Sequence, residues 1–127
     1  GGQLRACKRA AVVGMTSTFA ALNADLLHQM GPRVVVVEEA GELLECQLMA
    51  CLSSPNLQQV VLIGDHQQLR PKLNTFALSK HHKFDLSLFE RLVVSGCQRA
   101  KLVTQLRMQP DVCALVRPFY EAIHDHP

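Results

Sequence analysis

Four consecutive valines, Val34–Val37, followed at once by Glu38 and Glu39, constrain the fold of this chain more than any other feature. β-Branched side chains favour strands, and an unbroken apolar run is typical of a strand buried on both faces of a parallel sheet. A second apolar run, Val60–Ile63, also ends in a polar loop, Gly64–Pro71. Because helical patterns separate the apolar runs, the sequence predicts an open α/β sheet of parallel strands with flanking helices.

The remaining patterns predict further strands and helices. We expect strands at Ala10–Met15 and Lys101–Thr104, and an irregular surface segment at Leu73–Lys83. Pro118 is expected to end or kink the last helix. Helical periodicity and capping signals predict helices at Thr18–Met30, Gly41–Leu52, Ser87–Ser95 and Pro110–Ile123.

Composition narrows the class of protein. The 127 residues, 48% of them hydrophobic, suit one compact domain or part of one, and no apolar run approaches the ~20 residues that a membrane span needs. The net charge of +2 neither shows nor excludes nucleic-acid binding. The five cysteines lack C-x-x-C spacing, and Cys46, Cys51 and Cys113 fall in apolar patterns typical of buried thiols. We expect an intracellular protein, in the cytoplasm, the nucleus or both, without a membrane partner.

Three polar clusters at the predicted strand ends contain the side chains that phosphoryl transfer needs. Glu38 and Glu39 are costly at the rim of an apolar sheet unless a magnesium ion compensates them, although acids also suit the start of a helix. Gln68 can bind phosphate or water and Asp65 a metal-bound water, although both also suit a polar turn. Arg107 can bind phosphate bidentately or form a surface salt bridge.

The order and spacing of these clusters resemble the motifs of superfamily 1 helicases, in the branch that contains the nonsense-mediated-decay helicases. Glu38–Glu42 stands where the branch has D-E-A-x-Q, and Ser87–Leu92 matches its S-L-F-E-R-L segment. Gln105–Pro110 matches Q-Y-R-M-H-P with two changes, and Val13–Thr18 resembles the nucleic-acid-contacting motif. Every defined position of the motif G-D-x-x-Q-L-x-P is matched, by Gly64, Asp65, Gln68, Leu69 and Pro71. Within the branch, the pattern is most similar to zinc-finger NFX-type helicases, which are linked with RNA silencing.

The resemblance implies a partial RecA-like P-loop NTPase fold that uses ATP and Mg2+. It implies Glu39 as the base that activates the attacking water, Gln68 as the sensor of the terminal phosphate and Arg107 as the stabiliser of its charge. Glu38, in place of the family's aspartate, and Asp65 would hold the metal and the nucleotide. These side chains are expected to converge on one triphosphate pocket.

The same resemblance implies contacts with the rest of the nucleotide and with nucleic acid. Gln105 and Leu106 would border the nucleotide, with Leu106 replacing a tyrosine that stacks on the adenine. Thr16, Ser17 and Thr18 would bond the nucleic-acid backbone. From the residues alone, a helix N-cap at Ser17 or Thr18 is an equally good interpretation.

One expected motif, the phosphate-binding loop G-x-x-x-x-G-K-S/T, does not occur in the sequence. In the family its strand lies between those that match Val60–Ile63 and Lys101–Thr104, so a gap in the sheet is expected. We interpret residues 1–127 as the C-terminal part of the first RecA-like motor domain, lacking the P-loop strand, in a longer chain. A second RecA-like domain of that chain would complete the ATP site.

The resemblance implies part of an ATP-dependent RNA helicase that translocates on RNA or unwinds it. Two alternatives stay open. The first is a non-catalytic, degenerate motor domain that serves as an RNA-binding or protein-docking scaffold, which Leu106, Glu38 and the missing loop favour. The second is a DNA helicase, because no residue identifies a contact with the 2′-hydroxyl that distinguishes RNA.

Overall fold

A parallel pair of strands organises the first of two units into which the chain folds, residues 1–97. The computed structural model describes residues 2–120 and 122–126. A 3₁₀ helix, Ala40–Glu42, follows the first strand. The other elements of this unit are α1 (Gly2–Arg9), α2 (Ser17–Leu22), α3 (Ala24–Met30), β1 (Val34–Val37), α4 (Glu45–Cys51), β2 (Gln59–Leu62), α5 (Phe76–His82) and α6 (Leu88–Val94).

The strands β1 and β2 pair in parallel, as the sequence predicts, but β1 is covered on one face only and most of β2 is exposed. Val37 and Leu62 pack against a buried cluster formed by Ala20, Leu27, Leu48 and Cys51. On β1 the burial alternates, and Val34 and Val36 remain 49% and 58% exposed. The prediction of a strand buried on both faces is therefore wrong, because helices of the described chain cover one face and leave the other open.

The strand predicted at Ala10–Met15 and the irregular segment predicted at Leu73–Lys83 are also wrong. Residues 10–16 form no strand, and Val12 is 87% exposed. Small residues such as Ala10, Ala11 and Gly14 pack poorly in a strand, and this segment has no partner in the described sheets. The expected irregular segment Leu73–Lys83 contains α5 instead.

Local capping signals predicted the helix ends better than the helix lengths. Gly31 ends α3 in the left-handed conformation at φ 64°, and Ser87 caps α6 by accepting the Glu90 N–H at 3.0 Å. The predicted helix Thr18–Met30 is divided at Asn23 into α2 and α3. The predicted helix Gly41–Leu52 becomes regular only at α4, after the 3₁₀ helix.

The second unit, residues 98–127, contains β3 (Thr104–Gln105), α7 (Pro110–Val116) and β4 (His124–Asp125), with β3 and β4 parallel. The strand expected at Lys101–Thr104 thus starts later. The predicted helix Pro110–Ile123 ends at Val116, and Pro118 lies in the 3₁₀ helix Arg117–Phe119 that follows, which confirms its role as a helix end. Residue 121 of that prediction lies outside the described residues.

All five cysteines are free thiols. Cys51 and Cys113 are buried as predicted, whereas Cys46 is exposed, because it lies on the outer side of α4. Burial raises the pKa of the Cys51 thiol above its ordinary value. Within residues 2–120 and 122–126, every helix is too short or too polar to cross a membrane.

Candidate functional site

The loops that follow β1 and β2 lie against each other at the carboxyl edge of the sheet. The Ile63 N–H donates to the carbonyl oxygen of Val37 at 2.8 Å, and the Ala40 N–H donates to that of Ile63 at 2.9 Å, so pairing continues past both strands. A Cβ built at Gly41 would lie 2.9 Å from the carbonyl oxygen of Asp65. The acidic motif and the G-D-x-x-Q motif therefore share one rim of the sheet.

This close approach predicts a destabilising effect of Gly41→Ala. The added methyl group would meet backbone atoms, which cannot move aside as a flexible side chain can, so we expect the free energy of unfolding to fall by about 1–3 kcal/mol. Denaturant unfolding measures the change. Gly14→Ala is the matched control, because nothing lies within 4 Å of a Cβ built at Gly14. Equal unfolding midpoints for the two variants would show that the loops are not in contact.

Glu39 adopts a backbone conformation that side-chain-bearing residues rarely take. Its φ and ψ are 51° and 39°, in the left-handed region, where an L-residue costs about 1–2 kcal/mol relative to the right-handed helix. Both Glu38 and Glu39 are exposed, and neither carboxylate is hydrogen-bonded to another described residue. Local strain of this kind concentrates at functional sites, where the surrounding structure maintains it.

The Asp65 carboxylate organises the loop after β2. One of its oxygens accepts the Gln67 N–H and the other accepts the Gln68 side-chain amide, each at 2.9 Å. The Gln68 side-chain oxygen has no hydrogen-bond partner in the described part of the chain. Asp65 therefore holds Gln68 in a fixed orientation, which the sequence reasoning did not assign to it.

Helix α6 contacts both of these loops and the helix beyond them, through residues that sequence reasoning did not select. The Arg70 guanidinium binds the Glu90 carboxylate through two nitrogens, at 3.1 and 2.5 Å. Arg91 binds Glu45 of α4 in the same way, at 3.0 and 2.5 Å. Donation of hydrogen bonds to the Glu90 carboxylate, together with its negative charge, raises the pKa of the Arg70 guanidinium, and Glu45 has the same effect on the pKa of Arg91. Periodicity and the Ser87 cap predicted this helix, and Ser87–Leu92 matched a family segment, but neither signal indicated these two ion pairs.

The predicted nucleic-acid-binding residues lie at the start of α2. Thr16 is the N-cap, and its hydroxyl oxygen accepts the Phe19 N–H at 3.1 Å. The alternative prediction placed the cap at Ser17 or Thr18 and is wrong by one or two residues. Ser17 is half-buried, whereas Thr18 is exposed. The Thr16 hydroxyl keeps its own O–H as a donor.

In the second unit, Gln105 shapes the loop that carries Arg107. Its side-chain oxygen accepts the N–H groups of Arg107 and Met108, at 3.0 and 2.7 Å. Its amide nitrogen donates to the Met108 carbonyl oxygen and to Asp125, at 2.9 and 2.6 Å. Both N–H donors and both acceptor positions of the Gln105 side-chain amide are thus in use. A hydrogen bond from Gln105 to a nucleotide would require one of these four hydrogen bonds to break. The side chains of Arg107 and Leu106 are exposed.

Asp125 anchors this loop from β4. It accepts hydrogen bonds from Gln105 and, at 2.6 Å, from Arg117. A hydrogen bond from the buried Cys113 thiol lowers the pKa of the Asp125 carboxyl, with Gln105 and Arg117 adding to the effect. Sequence reasoning missed this anchor, because no motif marks Asp125.

The residues of the first unit suit a magnesium ion of the kind found with nucleotides. Among residues 2–120 and 122–126, no three or more His, Cys, Asp or Glu side chains are grouped to hold a metal. Magnesium at nucleotide sites takes one or two protein carboxylates and completes its shell with phosphate and water oxygens. Glu38, exposed beside the Asp65 loop, provides a donor of the right chemistry for such a shared shell.

Comparison with known proteins gives relatives along nearly the whole chain. The family described as AAA domain matches residues 4–75. NFX1-type zinc finger-containing protein 1 of Mus musculus is 46% identical over 125 residues, which are 98% of this chain and 6% of that protein. Helicase required for RNAi-mediated heterochromatin assembly 1 of Schizosaccharomyces pombe is 39% identical over 116 residues, 91% of this chain and 12% of that protein. RNA helicase aquarius of Mus musculus is 31% identical over 129 residues, 94% of this chain and 9% of that protein. The chain thus spans a small part of each relative.

Proposed function

Because this chain belongs to the AAA-domain family, as part of the first motor domain of a superfamily 1 helicase, we propose that it contributes the hydrolytic residues of an ATP-dependent RNA helicase. The observation that carries the proposal is the shared rim of the two motif loops after β1 and β2. We further propose that the chain is the C-terminal part of that domain in a longer protein, whose second RecA-like domain closes over the nucleotide.

The proposed chemistry is in-line attack of water on the terminal phosphate of ATP. Glu39 would accept the proton of the attacking water, and Gln68 would orient that water or the phosphate through its fixed amide group. Glu38 would hold Mg2+, directly or through water, and Asp65 would support it while positioning Gln68. Bound magnesium would neutralise charge on the phosphate oxygens.

The remaining roles rest on the family match and on local geometry. Arg107 is proposed to stabilise charge on the terminal phosphate, and Gln105 holds the loop that carries it. Leu106, 78% exposed, would cover the adenine by apolar contact alone. The exposed hydroxyls of Thr16 and Thr18 would bond the backbone of a nucleic-acid strand at the start of α2.

RNA is the proposed substrate because two of the relatives are named for it: one as an RNA helicase, the other as a helicase required for an RNAi-mediated process. A second candidate is a non-catalytic scaffold that binds RNA or a protein. The observation that favours the scaffold is Leu106, because an aliphatic side chain in place of an aromatic one recognises adenine less specifically.

Nucleotide turnover tests the proposal. This chain alone is expected to hydrolyse no measurable ATP, because its sequence contains no G-x-x-x-x-G-K-S/T loop to supply the phosphate-binding amides and the lysine. A longer protein that adds such a loop and a second motor domain is expected to hydrolyse ATP, and faster when RNA is present. Phosphate release, measured with and without Mg2+, gives the result for both proteins.

The nucleic acid used in that assay separates the alternatives. RNA and DNA oligonucleotides of the same sequence are compared at one salt concentration, because phosphate contacts make binding depend on salt. Stimulation by RNA alone supports an RNA helicase, and equal stimulation by DNA shifts the proposal to a DNA substrate. Tight RNA binding by the longer protein without any turnover of ATP would establish the scaffold instead.

A further inference from the structure

Three consecutive residues of α6 each contact a different neighbour. The Phe89 ring lies 3.6 Å from a Cβ built at Gly64, where the chain leaves β2. Glu90 binds Arg70, which follows Gln68 by two residues, and Arg91 binds Glu45 at the start of α4. The contact of Glu90 with Arg70 connects α6 with the loop that contains Gln68.

The Arg70–Glu90 pair differs from the Arg91–Glu45 pair in its burial. The Glu90 side chain is 10% exposed, whereas that of Glu45 is 36% exposed, although both accept a bidentate guanidinium. Glu90 is held further by the Ser87 cap, which is completely buried. A carboxylate so enclosed depends on its partner, because an unpaired charge in a buried position is strongly unfavourable.

The loop that contains Gln68 has few other connections to the rest of the unit. Its hydrogen bonds to Asp65 lie within the loop, and Leu69 is 62% exposed. The loop is attached at its beginning by the backbone contact of Asp65 with Gly41, and at its end by the Arg70 side chain and the buried Pro71. Release of Arg70 would remove the ion pair that connects the loop with α6 two residues after Gln68.

We propose that Arg70 and Glu90 are positioning residues that hold the Gln68 loop in the geometry needed for hydrolysis. The inference rests on the proposed function, since Gln68 acts on the terminal phosphate only in a working ATPase. Neither residue touches the nucleotide in this role, so ATP binding should not depend on them. Misplacement of a group at the reacting phosphate lowers turnover without weakening the contacts that bind the rest of the ligand.

The test uses the full-length protein that contains this chain and compares Glu90→Gln with Glu45→Gln. Each substitution removes one charged oxygen from a bidentate Arg–Glu pair of α6, so the two variants are chemically matched. We expect Glu90→Gln to lower kcat roughly 10-fold, with KM for ATP unchanged, and Glu45→Gln to change neither. Arg70→Ala, at a side chain that is 56% exposed, provides a second variant if Glu90→Gln does not fold.

Two further measurements distinguish positioning from general support of the fold. Amide hydrogen exchange of Gln67 and Gln68 is expected to become faster in Glu90→Gln and Arg70→Ala and to stay unchanged in Glu45→Gln. Arg70 also lies 3.9 Å from Asp85, so the double variant Arg70→Ala with Glu90→Gln is compared with Arg70→Ala. The double variant should lose no more turnover than Arg70→Ala, because the contact of Glu90 is already lost in that variant.

The outcomes separate this inference from the proposed function. Unchanged kcat and unchanged exchange in both variants, with activity abolished by Glu39→Gln, would overturn the positioning role alone. A lower unfolding temperature without any effect on kcat would do the same, and would leave the pair a structural contact. Full turnover in Glu39→Gln would instead reject the proposed hydrolytic site, and the exchange of Gln67 and Gln68 would still decide whether the pair holds their loop.

Discussion

Replacing Glu39 by glutamine in the longer protein is expected to reduce ATP turnover by about 1,000-fold, within the range that a general base contributes. Glutamine has the same size but accepts no proton, so the attacking water loses its base. The left-handed backbone of Glu39 costs glutamine about as much as it costs glutamate, and the exposed side chain has no described hydrogen-bond partner to lose. The fold and the affinity for ATP should therefore be retained.

Single-turnover hydrolysis, together with equilibrium binding of ATP and RNA, measures the effect of Glu39→Gln. Glu42→Gln is the control, because Glu42 is an exposed acid of the same motif at which related helicases have glutamine. It should leave turnover unchanged. Undiminished hydrolysis in Glu39→Gln would show that the base lies elsewhere, and loss of activity in both variants would point to a general electrostatic effect.

The sequence was sufficient to predict features that depend on neighbouring residues. Valine runs predicted the parallel strands β1 and β2, Gly31 predicted the end of α3, and Ser87 predicted the start of α6. In each case the signal is a local preference of backbone or side chain, which tertiary packing did not override.

Features that depend on distant residues were not predicted. The valines of β1 were expected to be buried on both faces, but burial depends on which other elements cover a strand, and none of the described ones covers the second face. β3 pairs with β4 and lies in a different sheet from β2, and no pattern in the sequence indicated β4. The gap that a missing phosphate-loop strand would leave in the sheet stays a prediction.

In the candidate site, too, the sequence predicted what depends on neighbouring residues and missed what depends on distant ones. Motif matches identified Glu39 and Gln68, because both residues lie in short segments that directly follow a predicted strand. The left-handed conformation of Glu39 was not predictable, since glutamate has no intrinsic preference for it. The Arg70–Glu90 pair joins residues 20 positions apart, and only the packing of α6 on the loops brings them together.

Gln68→Ala is expected to lower ATP turnover by about 100-fold in the longer protein, the loss typical when one fixed hydrogen-bonding group of an active site is removed. The Asp65 carboxylate fixes the Gln68 amide at 2.9 Å, so the group is oriented before the nucleotide binds and its loss is not offset by rearrangement. Binding of ATP should weaken little, because the lysine loop proposed for the longer protein would bind the phosphates through its backbone amides. Steady-state phosphate release gives kcat and KM separately.

The adjacent glutamine provides the matched control for this prediction. Gln67 is also exposed, and its contribution to the loop is the backbone N–H that donates to Asp65 at 2.9 Å, which alanine retains. Gln67→Ala should therefore preserve both the loop and the turnover. If the variants at Gln67 and Gln68 hydrolyse ATP equally well, the side chain of Gln68 has no part in the reaction, and the rim shared by the two loops must serve binding or movement instead of hydrolysis.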